Sequence, residues 1–233
     1  MLKVVSFKIC PFVQRVTALL AAKNIAFDVE YISLGDKPQW FLDISPNAQV
    51  PLLVTENGTA LFESDAIIEY IEEVYPKLEN GVSFEQKALD RAWSYLATKH
   101  YLTQCSVMRS PDQITFDERN KKLSKAFATV EKQLREGPFF KGAQLSLADI
   151  AWLPLLHRAQ IIKDKSGYDF FTNLPKVKAW QENLMNTGLT HKSISEDFES
   201  KFSDFYLSES TWLGNGFNDC YATVDRCKIA SCC

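Results

Sequence analysis

The chain has 233 residues and a net charge of −3, long enough for one large domain or two modest ones. The mild charge, with no dense Lys/Arg block, argues against nucleic acid or an anionic membrane as the main partner. No apolar run approaches the ~18 residues of a membrane span. Met1-Leu2-Lys3 lead straight into Val4-Val5 without the pattern of a secretory signal, so a cytoplasmic, reducing setting is expected.

Val4 and Val5 read as a short buried strand, followed by a loop and then by Cys10-Pro11-Phe12-Val13. Pro11 suits the first position of a helix, where a missing N–H costs nothing. Val13, Val16, Leu19 and Leu20 recur on one helical face. Cys10 is thereby placed at the helix N-terminus, where free N–H groups and the dipole favour a thiolate. The bland alternative is a buried, inert thiol. The second cysteine of a Cys-x-x-Cys pair is missing, so any disulfide chemistry at Cys10 takes its other sulfur from elsewhere.

Residues 26–32 alternate as a second strand, and Pro38 opens a short helix through Trp40, Phe41 and Leu42. Val50-Pro51-Leu52-Leu53-Val54 is a strand with a proline at its entrance, which a cis bond would accommodate. Asn57-Gly58 signals a hairpin back through Leu61-Phe62. Glu63-Ser64-Asp65 starts a helix that ends at Tyr75-Pro76. A parallel strand pair with a crossover helix plus an antiparallel hairpin makes a small mixed sheet with helices on it.

After a linker the pattern becomes helical throughout. Trp93, Ala97, Tyr101, Gln104 and Met108 trace one long helix, and a second is predicted from Phe116 to Arg135. Ser146-Leu147-Ala148-Asp149 resembles a capping box at the start of a strongly apolar, central helix. Further helices are predicted over 175–185 and from His191 to about Phe205. The last stretch is aperiodic and carries Cys220, Cys227, Cys232 and Cys233, in addition to Cys10 and Cys105. Neither these cysteines nor the scattered His100, His157 and His191 have metal-ligand spacing, so no metal is expected.

Cys10-Pro11-Phe12 with Arg15, then 36–41 (Asp-Lys-Pro-Gln-Trp-Phe), Val50-Pro51 and Glu63-Ser64, resemble the glutathione-binding domain of cytosolic glutathione transferases. The cysteine-type members fit best: the omega class and the related lambda and dehydroascorbate reductase classes. The 146–149 helix start resembles the capping motif of that family's helical domain. The resemblance implies an α/β N-terminal thioredoxin-like domain, a mixed four-stranded sheet with helices, plus an all-α C-terminal helical domain. The boundaries are then 1–77 for the first domain, 78–83 for the linker, 84–205 for the helical domain and 206–233 for a tail.

The resemblance also implies glutathione as co-substrate and Cys10 as the catalytic thiol. Glutathione would be met by Phe12, by the main chain at Val50 before Pro51, by Lys37 at the glycyl carboxylate, and by Glu63 and Ser64 at the γ-glutamyl end. These assignments agree with strand addition and with anion binding at a helix N-terminus. A second, apolar substrate pocket is expected from Tyr101, Met108 and Trp180, with Phe205 or Tyr206 as further candidates. The expected function is glutathione-dependent thiol transfer or reduction through a mixed disulfide on Cys10. The rivals are conjugation of electrophiles and a non-enzymatic glutathione-binding or interaction module. A homodimer is the expected assembly.

Overall fold

The computed structural model describes residues 1–216. Strand β1 (Leu2–Ser6) is buried except at Lys3, as a central strand must be. It runs parallel to β2 (Phe27–Tyr31) and antiparallel to β3 (Leu52–Val54). Strand β4 (Ala60–Phe62) pairs with β3, giving the order β2-β1-β3-β4. Val4 faces Val29 on one side and Leu53 on the other. A parallel pair needs a crossover, and α1 (Pro11–Ala22) supplies it. The Val50–Pro51 bond is cis, and Gly58 takes φ +80° in the β3–β4 turn. Helices α2 (Gln39–Ile44) and α3 (Ser64–Val74) complete this unit.

Helix α4 (Phe84–Met108) opens on a Ser83 cap and α5 (Gln113–Gln133) on an Asp112 cap. The α5 helix starts three residues before the predicted Phe116, because the Asp112 carboxylate accepts from Thr115 N at 2.8 Å. Helix α6 (Leu147–Ser166) is buried almost all round, the mark of a central helix. Its Trp152, Leu155 and Leu156 enter the helical core, while Ile150 and Leu153 pack with Val13, Val16 and Leu20 of α1. One helix therefore serves both cores and fixes the helical unit against the sheet unit.

Helix α7 (Pro175–Asn186) follows. The single helix predicted over 191–205 is instead two pieces, α8 (Leu189–Lys192) and α9 (Phe198–Tyr206). The break falls at Ser193, whose carbonyl accepts from Thr17 Oγ1 of α1 at 2.7 Å. Its hydroxyl turns back to the Thr190 carbonyl at 3.0 Å. Serine competes for local backbone groups in this way and ends helices. Beyond α9 the chain stays packed on the helical unit through Leu213. Trp212 and Leu213 are buried, and the Trp212 ring lies 4.5 Å from that of Phe116. The tail cysteines Cys220, Cys227, Cys232 and Cys233 lie outside the described residues.

Candidate active site at the start of α1

After β1 the chain makes a tight turn, with Cys10 N donating to the Phe7 carbonyl at 3.0 Å. Cys10 is the N-cap residue of α1 and Pro11 its first residue. Gln14 N donates to the Cys10 carbonyl at 3.1 Å, closing the first helical turn. The thiol therefore faces the free N–H groups of Phe12 and Val13. The outcome for its acidity differs from the sequence expectation. Burial pushes the Cys10 thiol up, and this outweighs the two N–H groups and the Arg158 charge that pull it down, while nearby Cys105 adds to the rise. Helix-end fields are local and legible in sequence, whereas desolvation is set by packing from distant elements.

The seven sequence candidates of the first domain line one cleft of about 360 Å³. Cys10 and Phe12 from the start of α1 share it with Lys37, Val50-Pro51, Glu63 and Ser64. Asn47 and Gln49 also line it, as does Leu102 of α4; the sequence reading did not single these out. Asn47 Nδ2 donates to Glu63 Oε1 at 2.9 Å, and Gln49 N donates to Asn47 Oδ1 at 3.2 Å. This ties the loop before β3 to the entrance of α3. Glu63 is held at φ +65°, an uncommon region for a residue with a Cβ, and such strain gathers at functional sites.

Glu63, not Ser64, is the N-cap residue of α3. Ser64 is the first helical residue and only 5% exposed, so its hydroxyl is not spent on capping. Arg15 of α1, itself buried, pairs with Asp65 and pins the start of α3 to α1.

The second-substrate candidates are corrected by the packing. Tyr101 is fully buried, its hydroxyl donating to the Ala151 carbonyl at 2.5 Å and its ring edge-on to Phe12 at 5.0 Å. Met108 is fully buried among the helices. Trp180 is buried, and its Nε1 donates to Asp149 at 2.7 Å. None of the three presents a surface to a ligand, because these positions face the helical core. Helical periodicity marks an apolar face without saying whether a helix or a ligand covers it. Phe205, by contrast, is exposed and lines a separate groove of about 620 Å³ with Phe7, Lys8, Tyr31 and Lys201.

Behind Cys10 lies a buried polar group that the sequence reading missed. Gln14 Nε2 pairs with His157 Nδ1 at 3.0 Å. Arg158 Nη1 donates to Gln14 Oε1 at 2.5 Å, and Nη2 donates to the Ile9 carbonyl at 3.0 Å. A Gln-Arg pair on the buried side of α1, and a His-Arg pair inside an apolar helix, were the available signals.

Burial and the Arg158 charge push the His157 imidazole down to about 3 from 6.5. Between those values the unfolded chain binds more protons than the folded one. Stability therefore falls as pH drops from about 6.5 toward about 3, by up to ~1.4 kcal/mol per unit. Urea unfolding across this range should show a shallower acid loss for His157→Gln than for the wild type. Parallel profiles would remove His157 as the cause.

Two family models cover most of the chain. The glutathione S-transferase N-terminal domain matches residues 9–74, and the glutathione S-transferase C-terminal domain matches residues 84–187. The chain belongs to the glutathione S-transferase family. Glutathione S-transferase omega-1 of Sus scrofa is 29% identical over 90% of this chain and 88% of its own length. A probable cytosolic glutathione S-transferase DHAR1 of Oryza sativa subsp. japonica is 30% identical over 76% of this chain and 80% of its own. Among solved structures, glutathione transferase Omega 3C of Trametes versicolor superposes with a TM-score of 0.72 at 28% identity, over 84% of this chain and 89% of that one. The mixed sheet unit followed by a helical unit is the glutathione S-transferase fold, with omega and DHAR members among the relatives.

Proposed function

We propose that this glutathione S-transferase family member catalyses glutathione-dependent thiol transfer through Cys10. The observation that carries the reading is a cysteine, not a tyrosine or serine, at the helix N-terminus of the cleft lined by Lys37, Val50, Glu63 and Ser64. The nearest upstream hydroxyl, Ser6, is buried and donates to the Phe7 carbonyl. In the proposed cycle the Cys10 thiolate attacks the glutathionyl sulfur of a mixed disulfide. A Cys10–glutathione bond forms, and the released thiolate takes up a proton. A second glutathione thiolate then attacks the glutathione sulfur of the adduct, forming glutathione disulfide and returning the Cys10 thiolate. Reduction of an oxidised small molecule such as dehydroascorbate, with two glutathiones becoming the disulfide, uses the same thiol. The omega and DHAR names among the relatives support this substrate range.

In this reading Ser64 and the α3 N-terminus receive the γ-glutamyl carboxylate, with Glu63 at the ammonium. The main chain at Val50 pairs with the cysteinyl segment, and Lys37 meets the glycyl carboxylate. Lys37 makes no ion pair among the described residues, which suits that role. Ser64→Ala should weaken glutathione binding by ~1–2 kcal/mol, the loss of a charge-assisted hydrogen bond. Because Ser64 is not the cap, the thermal midpoint should barely move. Calorimetry beside a melt checks both, and unchanged affinity would strip Ser64 of the role.

One observation favours conjugation as a second reading. Burial biases Cys10 toward the neutral thiol. A neutral thiol donates a hydrogen bond, and so would stabilise the thiolate of bound glutathione for attack on an electrophile. Assaying a glutathione mixed disulfide beside an electrophilic aromatic substrate separates the two: thiol transfer predicts the first activity dominant.

We propose the limits 1–77, 78–83, 84–205 and 206–233 for the glutathione-binding unit, linker, helical unit and tail. The gap between the end of α3 at Val74 and the start of α4 at Phe84 supports them. A homodimer in a reducing cytoplasm is the proposed working form, and the exposed Phe62, Phe84 and Leu89 support an apolar contact between copies. Among the described residues no helix is long and apolar enough to cross a membrane.

A further inference from the structure

We propose that Arg158 is the positioning residue of the thiol site: its guanidinium fixes the turn that presents Cys10 and lends that sulfur its positive charge. The inference rests on Cys10 being the reacting thiol. Arg158 sits on α6, far along the chain from Cys10, yet it grips both sides of it. Nη2 donates to the carbonyl of Ile9, the residue before Cys10, at 3.0 Å. Nη1 donates at 2.5 Å to Gln14, whose own N–H closes the first turn onto the Cys10 carbonyl at 3.1 Å. The Pro154 carbonyl holds the same nitrogen from below at 3.0 Å. A guanidinium fork holds three acceptors in fixed directions, so it sets the orientation of the turn as well as its place.

The electrostatic setting is unusual. Arg158 is fully buried, and its Nε has no hydrogen-bond partner among the described residues. Among the described residues it makes no salt bridge. The groups whose charge acts on it include Cys105 and Tyr101 on α4, Tyr206 on α9, and Cys10 itself. The neutral His157 lies beside it on α6, and the Phe198 ring covers it at 5.4 Å. A buried cation without a counter-ion is costly. Of these groups Cys10 alone lines the cleft at the start of α1, on the turn that Arg158 holds. An anion forming at Cys10 is therefore a natural counter-charge for Arg158. The Phe12 and Val13 N–H groups act in the same sense.

The test reads Cys10 directly in the full chain. Alkylation by iodoacetamide is followed against pH, with peptide mapping to isolate the Cys10 rate and a thermal melt to confirm folding. Removing a cation disfavours the anion, so the sign is fixed. Arg158→Gln, which keeps donors but no charge, should raise the midpoint by about one pH unit. Arg158→Lys, which keeps the charge, should recover at least half of that shift. A folded Arg158→Gln protein with an unmoved midpoint overturns the proposal. So do equal shifts in the Gln and Lys variants, which would mean a packing role alone. Because alkylation needs no glutathione, it stands as a test even if glutathione never adds to Cys10. That second failure would sink the thiol-transfer reading instead.

Discussion

Cys10→Ser should abolish thiol transfer, with a loss of at least about a thousandfold, on the order of 4 kcal/mol of barrier. A hydroxyl forms no disulfide, so the covalent intermediate disappears rather than slowing. Glutathione affinity should stay close to wild type, because the groups assigned to its carboxylates and main chain lie elsewhere in the cleft. Serine still fits the cap position of α1, where its hydroxyl can donate to the glutathione sulfur and favour the bound thiolate. The variant should therefore hold or gain activity toward an electrophilic aromatic substrate. Both activities are measured at equal glutathione saturation. Retained thiol transfer would move the chemistry to Cys105 or a tail cysteine.

The largest effect on stability is expected at Asp149. Its carboxylate is fully buried and accepts four hydrogen bonds. They come from Phe140 N at 2.8 Å, Ser146 N at 2.8 Å, Ser146 Oγ at 2.6 Å and Trp180 Nε1 at 2.7 Å. One side chain thus caps α6, holds the loop before it and anchors α7. Burial still pushes the carboxyl up, so the donors offset a desolvation cost that would otherwise be large. Asp149→Ala strands all four donors in the core and should cost on the order of 4 kcal/mol in denaturant unfolding. Asp149→Asn keeps an acceptor and should cost about half as much. Equal and small losses would show that the loop rearranges to satisfy the donors.

Much of this was legible in the chain because its signals are local. Pro11 after Cys10 marks a helix start, Asn57-Gly58 a turn, and Ser146 with Asp149 a capped helix. Each depends on backbone chemistry within a few residues, and the mixed sheet follows from the crossover and the hairpin, while its order β2-β1-β3-β4 is set by the β1–β3 pairing. Most of the Cys10 cleft was also foreseeable, since apart from Leu102 of α4 its lining comes from the loops and helix starts at the ends of those elements. What stayed hidden depends on distant contacts. Trp180 reads as an aromatic on a helical face, and only packing reveals that Asp149 and the core take it. The break at Ser193 answers to Thr17 on another helix. Arg158 and Gln14 stand out as polar residues on apolar helix faces, but that they pair with each other appears only when α1 and α6 meet. The acidity of Cys10 failed for the same reason, because its desolvation comes from elements the local sequence does not name.

The most direct test of the Cys10 assignment is peptide mapping by mass spectrometry after the reduced protein meets glutathione disulfide. The account predicts one glutathionyl group on Cys10, removed by added glutathione. Labelling confined to Cys105 or to Cys220, Cys227, Cys232 and Cys233, with Cys10 unmodified, would contradict it.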